Sequence, residues 1–190
     1  MTILGFSVCA WFSLFLAIFI GLFVSSLMCL FLLVIHEYGH AYSLAKHGIR
    51  QEKIVLGWPR IFTTSVYGMP HEIGLLPVYG YVYAPHLLQA PANIRAEVAF
   101  AGPAASVFLG IFLLGFNWLF PSHLAVLGAQ GSFAFAALNL VPLPPMDGWW
   151  IAEYGLSKLG YEPSPNVRRL LFGLGIASIG LSVIALQYYF

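Results

Sequence analysis

Residues 1–36 contain no Asp, Glu, Lys or Arg, and the first charged residue, Glu37, lies inside His36-Glu37-Tyr38-Gly39-His40. A membrane-spanning helix needs about 20 consecutive apolar residues, and this run supplies more. Ionisable groups are costly in hydrocarbon, so those that interrupt such a run mark function. On a helix, His36 and His40 stand four apart, share a face and can hold one zinc ion. Glu37 is then placed to act as general base toward a water at that metal. The pattern points to a metal-dependent hydrolase working within a bilayer.

Charge is scarce and segregated along the rest of the chain. Only 8% of residues are charged and 60% are hydrophobic, against roughly 25% charged in soluble domains. Residues 98–146 and 170–190 are two further uncharged blocks. The spacing predicts helix one over Phe6–Phe23, helix two over Ser26–Lys46, helix three over Ile94–Phe120, helix four over His123–Leu140 and helix five over Arg168–Tyr189. A short helix, Trp149–Leu159, is expected near the surface. Between helices two and three, Ile54–Leu56, Ile61–Tyr67 and Val78–Val82 are β-rich and punctuated by Gly and Pro. The fold class is therefore an all-α membrane protein of about five transmembrane helices with a small β insertion.

Lys46, Arg50, Lys53, Arg60 and Arg95 fall between helices two and three, and Lys158, Arg168 and Arg169 fall between helices four and five. With five crossings the two loops share a side, which the positive-inside rule makes cytoplasmic. The N-terminus is then cytoplasmic and the C-terminus outside. The N-terminus lacks the basic start of a signal peptide. No basic patch suggests a nucleic-acid partner.

Two histidines leave a catalytic zinc one protein ligand short. Asp147 is the only acid between Glu97 and Glu153. It follows Asn139-Leu140-Val141-Pro142-Leu143-Pro144-Pro145-Met146, whose prolines cannot continue a helix. Non-helical backbone is tolerated at membrane depth where it is buried in protein or lines a wet cavity. Such a segment can carry Asp147 to the metal and present Asn139 to a substrate. His47, His71, His86 and His123 are read as surface or packing residues. Gly102–Ser106 is read as a site of close helix packing.

With HEYGH at 36–40 and Asn139-x-x-Pro142…Asp147-Gly148 in place, the chain resembles the site-2 proteases, zinc intramembrane metalloproteases. Leu75–Val82 is similar to that family's lPxGGYV loop, with Tyr79 in place of the first Gly. Ala101–Ser106 is similar to its AGPxxN motif, with Ser106 in place of Asn. The four matches occur in family order over residues 25–150. The resemblance implies His36, His40 and Asp147 as Zn2+ ligands, Glu37 as the catalytic base and Asn139 beside the scissile carbonyl. It also implies a sheet near the active site, where Val78, Gly80 and Tyr81 can pair with an extended substrate.

One integral-membrane metalloprotease domain is expected over 1–190, with its core at 25–150 and extra helices at 1–24 and 168–190. No stretch is long enough for the PDZ domain many members carry, so a minimal form is implied. The expected setting is a prokaryotic cell membrane. The expected partners are the lipid bilayer and a membrane-protein or membrane-peptide substrate, cut in regulated intramembrane proteolysis. The alternative is a catalytically idle, helix-binding scaffold, which the intact His36, Glu37, His40 and Asp147 disfavour.

Overall fold

A single helix, α1, runs unbroken from Val8 to Lys46. The computed structural model describes residues 2–3 and 6–189, with side chains described over 10–177. Before α1, Thr2–Ile3 (β1) and Phe6–Ser7 (β2) form a two-residue antiparallel pair. The 39 residues of α1 give a rod of about 58 Å at 1.5 Å per residue. This corrects the expectation of two helices, Phe6–Phe23 and Ser26–Lys46. No Pro or Gly lies between Phe23 and Ser26, and Ser hydroxyls can bond back to the helix's own carbonyls. Nothing there ends a helix.

A long β-hairpin follows, Lys53–Val66 (β3) and Met69–Tyr83 (β4), paired antiparallel. Its tip is Tyr67-Gly68, with φ of 50° and 80°, the left-handed pair that a tight hairpin turn demands. The hairpin doubles back on itself. Ile54, Val55 and Leu56 pair with Val82, Tyr81 and Gly80, and also with His71, Glu72 and Ile73. The β insertion expected from the sequence is present, with strands longer than the three short stretches singled out.

A 3-10 turn, Pro85–Gln89, leads into α2 (Ala92–Leu119), α3 (His123–Asn139), α4 (Asp147–Lys158) and α5 (Pro165–Tyr189). Ser122 caps α3 by accepting from the Ala125 N–H. The described residues thus hold five helices in all, one of them the short α4, rather than five membrane helices plus a short one. Two of them, Ala10–Lys46 and α2, are long and apolar enough to cross a membrane.

The core sits where the C-terminal half of α1 meets the hairpin and α2. Leu33 and Ala41 pack with Ile54 and Leu56, and Leu44 packs with Ala84 and Val98. Residues 10–25 of α1 are exposed all round. Helices α1 and α2 approach closely because their contact is built from small residues. A Cβ on Gly39 would come within 2.8 Å of Ala105 Cβ and press on the Ala101 carbonyl. Small residues at such crossings are how apolar helices gain packing when no hydrophobic effect drives them together.

Candidate metal centre

His36 and His40 sit on the face of α1 that α2 covers. The His36 ring is buried, and its Nδ1 bonds Ser106 Oγ at 3.0 Å. His40 Nδ1–H donates to the Val98 carbonyl at 2.8 Å. Each ring is therefore held through Nδ1, which leaves Nε2 pointing inward with its lone pair. Gly102 lies between these two contacts on α2. A Cβ there would stand 2.8 Å from His36 Nε2 and closer still to the His40 ring. Val98, Gly102 and Ser106 are spaced by four, so one stripe of α2 seats both histidines.

Asp147 arrives from the other side as the first residue of α4. Its Oδ2 lies 3.1 Å from His36 Nε2 and 3.3 Å from His40 Nε2. The two Nε2 atoms are 3.2 Å apart. Gly148 makes this approach possible, because a Cβ there would strike the Leu140 and Val141 carbonyls. Phe135 of α3 closes the site with its ring 4.6 Å from that of His36.

The residues fit a metal ion. Bonds of about 2.0–2.1 Å to a tetrahedral ion put ligand atoms about 3.3 Å apart, and the three donor atoms have that spacing. Two imidazole nitrogens and a carboxylate oxygen are also a donor set that catalytic zinc accepts. Among the described residues this is the one cluster able to hold an ion.

Glu37 is 4% exposed. Gly80 of β4 lies over it: a Cβ at Gly80 would be 2.9 Å from Glu37 Oε1. The hairpin is pinned beside this point by Tyr38, whose hydroxyl donates to His71 Nε2 at 2.8 Å, while His71 Nδ1–H donates to the Met69 carbonyl at 2.8 Å. At the base of the hairpin, Lys53 donates to Glu72 at 3.0 Å and holds its carboxyl below the usual carboxylate range.

Of the substrate-side residues, Gly80 adjoins Glu37, while Val78 and Tyr81 are exposed on the same strand. Among the described residues, Gly80, Tyr81 and Val82 pair only with Leu56, Val55 and Ile54, leaving the strand's other edge outside the sheet. Asn139 ends α3 one turn beyond Phe135, and its amide donates back to the Phe135 carbonyl at 3.0 Å. The ring-orienting contacts from Val98 and Ser106, and the Tyr38–His71 link, escaped sequence reasoning. Ser106 was visible as the polar residue of the AGPxxN-like motif, whereas a backbone carbonyl leaves no trace in sequence.

Residues 24–122 match peptidase family M50. The chain belongs to that family, the site-2 proteases. Across 189 aligned residues it is 30% identical to a zinc metalloprotease of Methanocaldococcus jannaschii, covering 91% of this chain and 47% of that protein. It is 31% identical over 97 residues to the regulator of sigma-E protease RseP of Salmonella typhimurium, covering 43% of this chain and 22% of that one. In structure it is similar to the site-2 protease from Methanocaldococcus jannaschii, with a TM-score of 0.59 and 26% identity, over 93% of this chain and 76% of that one. The chain thus spans about half the length of the first relative and about a fifth of the second. Its M50 membership and its two long apolar helices make it a membrane protein of a metalloprotease family.

Proposed function

We propose that this M50 chain is a zinc-dependent intramembrane endopeptidase that cuts transmembrane segments of membrane-protein substrates. One observation carries the reading: His36 Nε2, His40 Nε2 and Asp147 Oδ2 converge within 3.1–3.3 Å of one another, with buried Glu37 on the same helix. His36, His40 and Asp147 would hold the zinc. When bound, the ion supplies a Lewis acid that polarises a carbonyl and acidifies water.

The chain's own groups do the rest. Glu37 takes a proton from the attacking water as its oxygen adds to the scissile carbonyl carbon. It then delivers that proton to the amide nitrogen as the C–N bond breaks. The free edge of β4 at Val78–Tyr81 offers main-chain groups to a substrate that has left its helix, because peptide bonds inside a helix are shielded by their own hydrogen bonds. Asn139 would meet the substrate on the α3 side, once its amide leaves the Phe135 carbonyl. Six residues, about 9 Å, separate His40 from Lys46, which supports a metal site below the membrane surface.

Metal analysis joined to cleavage of a membrane peptide tests the proposal. The purified chain is expected to hold one zinc per molecule and to cut the peptide. The combined His36→Ala and His40→Ala variant is expected to lose both. Full zinc in that variant would put the site elsewhere.

The unbroken α1 also changes the expected orientation. With the basic loops cytoplasmic, one crossing puts the N-terminal end of α1 on the outer side, opposite to what two separate helices imply. In a chain with Cys9 and Cys29 replaced by Ala, an impermeant thiol reagent is expected to label Trp11→Cys on intact cells. Arg50→Cys is expected to react only after permeabilisation. The reverse pattern would overturn this orientation.

A further inference from the structure

Glu153 is a buried carboxylate, 4% exposed, on the helix that begins with Asp147. It takes no part in the chemistry above. Two arginines from different helices flank it. Arg168 of α5 places Nη1 2.7 Å from its Oε1, and Arg95 of α2 places Nη2 3.6 Å from its Oε2. The Arg95 guanidinium also lies over the Trp150 ring, 5.2 Å from its centre. Arg168 is itself anchored, donating from Nε to the Pro163 carbonyl at 3.1 Å.

We propose that Glu153, gripped between Arg95 and Arg168, is a positioning residue that fixes where α4 delivers Asp147 to the histidine pair. Helix α2 already seats both imidazoles through Val98, Gly102 and Ser106. Through the 3.6 Å ion pair of Arg95 with Glu153 the same helix also faces α4, so one element references all three donor atoms. Asp147 needs this because it follows a run of prolines, and the chain before it makes no regular helix or strand. Glu153 lies six residues on, about 9 Å along the α4 axis. A tilt of α4 about Glu153 therefore moves the carboxylate at its start. A buried carboxylate is held only where cations partner it, and removing either side leaves an uncompensated charge.

The inference rests on the metal site proposed above, and its test separates the two. Zinc affinity is measured by chelator competition on the full chain in detergent. Glu153→Gln is expected to weaken zinc about 10- to 100-fold, the scale seen when groups that orient ligands are lost. In an Asp147→Ala background the same change is expected to weaken the residual binding less than twofold, because the residue acts through Asp147. Should Glu153→Gln fail to fold, Arg168→Gln at the half-exposed end of the clamp is expected to behave the same way to a smaller degree. Wild-type affinity in both clamp variants, or an equal loss with and without Asp147, would overturn the inference and leave the metal site standing. A wild-type chain that binds no zinc would overturn both.

Discussion

Glu37→Gln is expected to keep its zinc and lose proteolysis by at least about a hundredfold, the scale of a missing general base. The amide has the shape of the carboxyl it replaces and fits under Gly80, where space for a bulkier group is absent. Metal content should be unchanged, since the proposed donors are His36, His40 and Asp147. What disappears is the carboxylate proposed to take a proton from water and pass it to the leaving nitrogen. The variant should also retain bound membrane peptide and so reveal its substrates by co-purification. The measurement pairs zinc analysis with single-turnover cleavage. Near-normal cleavage by the Gln form would remove Glu37 from the chemistry.

Gly102→Ala is expected to weaken metal binding at the site although it adds one methyl group and touches no ligand atom covalently. That methyl would stand 2.8 Å from His36 Nε2 and closer to the His40 ring. Neither ring can swing away freely, because each is tied through Nδ1 to Ser106 or to the Val98 carbonyl. The alternatives are to push α2 outward or to break those ties, and both separate the donors. Zinc affinity should fall by at least about tenfold, as when ligand-orienting contacts are lost, with cleavage falling in step. Gly115→Ala is the control: it lies on the same helix, where nothing lies within 4 Å of the added Cβ. Equal zinc affinity in both variants would show that the α2 stripe does not shape the site.

Much of the candidate site was legible because the chemistry demands residue types at fixed spacings. HEYGH carries its own geometry on any helix, and a lone acid after prolines stands out in an uncharged background. Boundaries of α2, α3, α4 and α5 fell within a few residues of expectation, since charges, prolines and Ser122 mark their ends. The division of α1 failed for the complementary reason. An apolar run longer than a bilayer invites cutting in two, yet a helix stops only where its backbone is capped or blocked, and Ser25-Ser26 does neither. The contacts that aim the histidines were illegible for a different reason. They come from a carbonyl, a hydroxyl and a missing side chain on another helix, related to the motif only by tertiary packing. Glu153 read as part of a surface helix because its two arginines lie 58 residues before it and 15 after it.

The rows that interlock α1 and α2 run in opposite directions: Gly39 meets Ala101 and Ala105, His36 meets Ser106, and His40 meets Val98. Together these contacts act as a toothed rack. A slip by one residue would bring Pro103 or Ala101 against the rings in place of Gly102 and break every tooth at once. Both helices exceed the hydrocarbon thickness of about 30 Å, and long helices relieve such mismatch by tilting. Here they can lean only as a pair. A membrane that thins or thickens would therefore turn the candidate metal centre as a rigid block and change its depth, while leaving its internal distances as they are.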